Sequence, residues 1–221
     1  MSQDVISPVR SVLTPWTNTM RLTWVKEPTV EPITVQDAKN FLRLDVGLYD
    51  DDTLIASLIA AARHDAENET RRQLCPATLR LRLDRFPSER WFDLPRACPL
   101  TAVTSVNYYD TGGTAQVLAL TDRYLVDSDA EPARVYLPYG IPWPPVFLQA
   151  GSVWVEYTCG YPLDANGKPT NIPAGIIQWM RMRIATLYAH REGIVTGTIV
   201  AELPRTFLDG LLDDHRVPSY E

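Results

Sequence analysis

The apolar residues of this chain change their spacing twice, and that constrains its fold more than any other feature. Leu54, Ile55, Leu58, Ile59, Ala62 and Ala66 recur at the 3.6-residue period of a helix. From Leu79 the period is two: Leu79, Leu81 and Leu83 alternate with Arg80, Arg82 and Asp84, the pattern of a strand with one wet face. Ile176, Ile177, Met180, Ile184, Leu187 and Tyr188 then restore the helical period. The first long stripe has no partner nearby that is large enough to cover it, so helices from both ends of the chain must pack on each other. The expected fold class is α+β: a helical core of about four helices, an inserted small all-β module and extended terminal arms.

Boundaries follow from local chemistry. Residues 1–32 hold Pro8, Pro15, Pro28 and Pro32 without a helical period and read as an extended arm. Residues 33–76 form the first part of the helical core. Thr34 and Asp37 have capping-box spacing before Ala38, Phe41 and Leu42, and Gly47 is the expected stop. Asp50, Asp51 and Asp52 place negative charge where the amides of a second helix are unpaired, and Pro76 bars its continuation. Residues 77–170 read as the β-rich insertion, a small barrel or sandwich. Its further strands are expected at 91–94, 103–109, 117–120, 123–126, 134–137 and 153–157. Residues 171–193 are the second helical part, with Pro173 in the first turn and Gly193 at the end. Residues 194–221 hold an extended segment, a short helix at Phe207, Leu208, Leu211 and Leu212, and a tail.

Composition narrows the function. The net charge is −6, which offers no bulk attraction for phosphate backbones or anionic lipid. Cys75, Cys98 and Cys159 are far apart and odd in number, so neither a disulfide framework nor a zinc site is expected. No apolar run approaches the length of a membrane span. Eighteen prolines against eleven glycines give stiff, extended joints, notably across Pro138, Pro142, Pro144 and Pro145.

Catalytic patterns are sparse. His64 and Glu67 stand three apart on the second helix, a spacing that can present two metal ligands, but His190 and His215 are distant in sequence; a solvated face beside Arg63, Asp65, Glu69 and Arg71 accounts for them. Asp110-Thr111-Gly112 follows an apolar strand, as the catalytic carboxylate of an aspartic peptidase does, and a dimer would supply the second Asp. The same residues, continued by Gly113, are ordinary hairpin-turn chemistry. No nucleophile elbow, phosphate-binding loop or dinucleotide glycine pattern occurs. Trp91, Trp143, Trp154 and Trp179 suit core or interface anchors. No catalytic residue, metal or cofactor is expected.

Residues 31–45 with 51–63, Gly160-Tyr161 before Ile172-Pro173, and residues 188–192 with 194–204 together resemble stretches of the head-tail connector (adaptor, or head completion) proteins of tailed phages. Residues 31–45, EPITVQDAKNFLRLD, with 51–63, DDTLIASLIAAAR, are similar to the opening of that family. Gly160-Tyr161 before Ile172-Pro173 is similar to its step from β region into helix. Tyr188-Ala189-His190-Arg191-Glu192, followed by Ile194, Val195, Thr196, Gly197, Thr198, Ile199, Val200, Ala201, Glu202, Leu203 and Pro204, is similar to its close. The resemblance implies a structural virion protein at the head-tail interface, assembled in the host cytoplasm. It would form a homo-oligomeric, dodecameric ring beneath the portal protein, extend the channel through which double-stranded DNA passes without sequence-specific binding, and carry a stopper or tail component. No membrane is implied. Ile194 to Pro204 is an apolar, β-branched stretch that would expose unpaired backbone in water, and is expected to meet the portal or a neighbouring subunit. Asp65, Glu67 and Glu69, on the acidic second helix, are candidates for the channel lining. A different tail or baseplate module would share the composition, and an aspartic-type peptidase using Asp110 is the remote alternative.

Overall fold

Thr34 opens the first helix as its spacing predicts. Its hydroxyl accepts from the Asp37 amide at 3.0 Å, and its own amide donates to the Asp37 carboxylate at 3.4 Å. The computed structural model describes residues 19–45, 47, 49–190 and 210–218. Helix α1 spans Val35–Leu42 and ends on Arg43 in the left-handed conformation, φ 58°, four residues before the glycine expected to stop it. Helix α2 spans Asp52–Thr70 and α3 spans Ala174–Ala189. The acidic start of α2 works across helices: Asp52 pairs with buried Lys39 of α1, and Asp51 accepts from the Tyr188 hydroxyl of α3 at 2.6 Å.

The three helices enclose one apolar core. Ile55, Ile59, Ala62 and Ala66 of α2 face Ile176, Trp179, Met180 and Ile184 of α3, closed by Ile33, Ala38, Leu74 and Leu212. Small residues on α2 let the helices approach closely. Gly175 shows the same economy, because a Cβ there would stand 2.7 Å from the Leu211 carbonyl oxygen.

The β layer is an antiparallel sandwich. β1 (Arg21–Lys26), β2 (Ala77–Leu83), β8 (Val153–Cys159), β4 (Leu100–Tyr109) and β5 (Ala115–Leu118) lie side by side in that order. β3 (Trp91–Asp93), β7 (Arg134–Tyr136) and β6 (Leu125–Asp127) make a second sheet. Leu79, Leu81 and Leu83 of β2 and Val153, Val155 and Tyr157 of β8 are buried against Phe92 and Val135 of the small sheet. The alternate residues form the outer face, where Arg80 pairs with Glu156 and Arg82 lies over the Trp154 ring. Truncating a fully buried leucine such as Leu81 would cost about 2–5 kcal/mol. The proline-rich connection is pinned by Trp143, whose ring stacks on Phe86 with centroids 4.6 Å apart and whose indole N–H donates to the Glu89 carbonyl at 2.8 Å.

One expectation needs correction. Residues 21–26 are not an appended arm: as β1 they pair with β2 from Arg21 opposite Arg82 to Lys26 opposite Thr78. The β layer therefore takes its edge strand from ahead of α1 and is not inserted whole between helices. The described residues hold three α-helices, and Phe207 and Leu208 of the expected fourth lie outside them. Of the short helix expected at Phe207–Leu212, only 211 and 212 among the named positions are described; they lie in a turn leading to a single 3-10 turn at Asp213–His215. Overall the architecture is α+β.

Candidate functional site

The densest polar cluster sits where the helices meet the sandwich, and Glu67 is its centre. At the last turn of α2 its side chain is fully buried. It accepts from the Gln73 amide at 2.7 Å, the Leu74 backbone N–H at 3.1 Å and the Arg63 guanidinium at 3.1 Å, with Arg96 at 3.8 Å. Burial pushes the Glu67 carboxyl above its ordinary range, against the pull of Arg63, the Leu74 amide and Arg96. Beside it, Arg72 donates to the Glu131 carboxylate at 2.8 Å and to the His215 carbonyl at 2.6 Å, and the Val217 amide donates to the Thr70 carbonyl at 2.9 Å. On the return path, Gly160 adopts φ 117°, and a Cβ there would collide with the Cys75 carbonyl. Helix, sheet and residues 210–218 are locked together at this joint.

Within the subunit Glu67 is therefore fully buried and accepts three hydrogen bonds, with the Arg96 guanidinium close by, so it presents no carboxylate at the surface for a channel lining. Asp65 and Glu69 do reach the surface, at 38% and 53% side-chain exposure, each paired with an arginine, Arg183 and Arg216. His64, on the same helix, is exposed. Among the described residues no group of three or more His, Cys, Asp or Glu side chains converges as a metal site would require. Burial pushes the thiols of Cys98 and Cys159 up to about 11 and about 12, so both are protonated and poorly nucleophilic at neutral pH.

Asp110 is a turn residue. Its carboxylate accepts from the Gly112 amide at 2.9 Å, the Thr114 amide at 3.0 Å and the Gln116 side chain at 2.9 Å. The Gln116 bond, with those two amides, holds its pKa below the ordinary value. Both oxygens are thus engaged in closing the β4–β5 hairpin, which is what the Asp-Thr-Gly-Gly run supplies. Ile194 to Pro204 lies outside the described residues; the flanks are α3, ending at Ala189, and Leu212, which is fully buried in the helical core. Sequence reasoning passed over Arg96, Gln73 and Arg72, the arginines and amide that bind the two layers. Only the four-residue spacing of Arg63 and Glu67 hinted at the cluster.

Comparisons with known proteins agree with this architecture. A chain in the structure described as the neck of an empty GTA particle computed with C6 symmetry is 21% identical, with a TM-score of 0.72, 91% of this chain and 97% of that chain covered. A chain in the virion of a native gene transfer agent (GTA) particle is 20% identical at a TM-score of 0.70, covering 90% and 97%. A chain in the neck of a native GTA particle computed with C12 symmetry is 20% identical at a TM-score of 0.65, covering 91% and 97%. At these identities the likeness is one of fold. No curated protein matches in sequence. Residues 32–112, from the entry to α1 through the β4–β5 turn, match the family described as phage gp6-like head-tail connector protein.

Proposed function

We propose that this chain is a structural connector subunit of a phage or phage-like particle, standing in a ring between head and tail. The observation that carries the reading is the agreement of two independent likenesses: the gp6-like family match over residues 32–112 and a fold shared along about nine-tenths of the chain with particle-neck chains. Ring symmetry belongs to the necks of those particles, and here a twelve-fold ring beneath a portal protein is the corresponding arrangement. Such a ring would extend the channel for double-stranded DNA and carry a stopper or tail component.

Two features of the chain support this role. Asp65 and Glu69, the surface carboxylates of α2, are each paired with an arginine, so a channel wall built from this helix would be close to neutral and would let DNA slide without retaining it. Ile194 to Pro204 is our candidate for portal or neighbour contact, since its apolar, β-branched sequence is bracketed by two parts of one helical core.

The test is to co-express the chain with the portal protein and image the complex. A second chain carries a Gly-Ser linker of equal length in place of residues 194–204, keeping Leu212 and Val217, which are buried. A twelve-fold ring on the portal, and loss of portal binding by a linker variant that melts normally, are the expected results. Undiminished binding overturns the contact assignment alone. No ring in the presence of portal overturns the connector reading in favour of another tail or baseplate module.

A further inference from the structure

A cleft of about 540 Å³ opens between the edge strand β1, the small sheet and residues 217–218. Its walls are mostly apolar: Met20, Leu22, Trp91, Phe92, Pro95 and Val217 all line it. Phe92 and Val217 form a closed floor at 4% exposure each, while Met20 and Trp91 stand at the rim at 53% and 39%. A volume of this size is in the range that takes several side chains, and apolar surface left open to water at a cleft is the ordinary mark of a docking site.

We propose that this cleft is the seat of residues 1–18 of the same chain, with Trp16 and Leu13 as the anchors. The described residues begin at Thr19, and Met20 already lines the cleft, so the segment is tethered one residue from its rim. Trp16 is four residues before Met20 and can reach up to about 14 Å from it; Leu13 can reach about 25 Å. The segment's chemistry matches the apolar part of the lining, which also holds Glu67, Arg71, Glu89, Asp93 and Arg96. Val5, Ile6, Val9, Val12, Leu13 and Trp16 are apolar, and Asp4 and Arg10 are its only charged side chains. The tether also favours the chain's own segment over a free partner, because a short link holds it at millimolar effective concentration. This inference does not depend on the connector reading.

The experiment compares the full chain with a variant lacking residues 1–17 by hydrogen exchange and by binding of a hydrophobic dye. In the shortened chain, amides of residues 20–26 and 91–93 should exchange about tenfold faster and the dye should bind, while α3 is unchanged. Added peptide 1–18 should restore protection and displace the dye. In the full chain Trp16→Ala should reproduce the loss and Arg10→Ala should not; Trp91→Glu, at the exposed rim, should block the peptide. Equal exchange in the two chains with no dye binding overturns the proposal. So does protection that vanishes on dilution, which assigns the cleft to a second copy, or protection abolished by Tyr220→Ala but not by Trp16→Ala, which assigns it to the segment after Pro218.

Discussion

Replacing Glu67 by alanine separates the sequence expectation from the structure, because a channel-lining carboxylate could be lost without harm to the fold. In the structure the change strips the acceptor from the Gln73 side chain and the Leu74 amide, both buried, and removes one of two partners of Arg63, which keeps Glu31 at 2.8 Å. Two buried donors left unsatisfied cost about 1–3 kcal/mol each. Breaking a buried charge pair costs about 3–5 kcal/mol, so the two routes agree on about 3–5 kcal/mol for the whole site. That is a large share of the 5–15 kcal/mol typical of a domain. Urea titration reads it as a lowered midpoint, with Glu69→Ala as control, since an exposed ion pair is worth at most about 1 kcal/mol. The sign of the pH dependence adds a second check. The Glu67 carboxyl has its pKa raised in the fold, so it contributes stability that is fully present below its ordinary value of 4.5 and is lost as pH rises through the folded value. Wild type should therefore gain on Glu67→Gln as pH falls. A Glu67→Ala variant as stable as Glu69→Ala, or a wild-type advantage over Glu67→Gln that shrinks with falling pH, would refute the buried assignment.

Gly160→Ala forces a side chain into φ 117° and against the Cys75 backbone; a loss of about 3 kcal/mol or more is expected, a fall of roughly 6–12 °C in Tm by calorimetry, and a change under 2 °C would refute the close approach. The Glu131 and Asp37 carboxyls are held below their ordinary 4.5 and 3.8, chiefly by hydrogen bonds from Arg72 and Lys168. Their contribution is therefore complete above those values and is lost as pH falls through the folded ones, so wild-type Tm should drop in acid and Glu131→Gln should start lower and fall less steeply; parallel curves would count against it. Asp110→Asn keeps an oxygen for the Gly112 and Thr114 amides and should leave the urea midpoint close to that of wild type, with peptides uncleaved before and after; cleavage by wild type that the substitution abolishes would revive the peptidase.

What the sequence made legible was each element's own periodicity. The alternation at Leu79, Leu81 and Leu83 became a strand with those three side chains buried, and every strand expected within the β region is present to within a few residues. Ile55, Ile59, Ala62 and Ala66 became the buried stripe of α2. Periodicity is blind to what a distant part of the chain lays over a flank. Glu67 follows Ala66 and is rotated about 100° from it, so on the helix alone it belongs to the wet side. It is dry because Gln73 and Leu74 of the following loop and Arg96 of the sandwich close over that side.

The same blindness hid β1. Arg21, Leu22, Thr23 and Trp24 do alternate, but the strand lies at a sheet edge with most of its residues exposed, so its pattern carried little apolar contrast between prolines at 15 and 28. What makes it a strand is the free edge of β2, offered by residues more than fifty positions later. Glu67 and β1 thus have one cause: the two layers are joined by long-range contacts at the α2–β2 corner. A carboxylate that reads as surface charge and a strand that reads as an arm both belong to that corner, and this is why the Glu67 substitution tests the joint as a whole rather than a single ion pair.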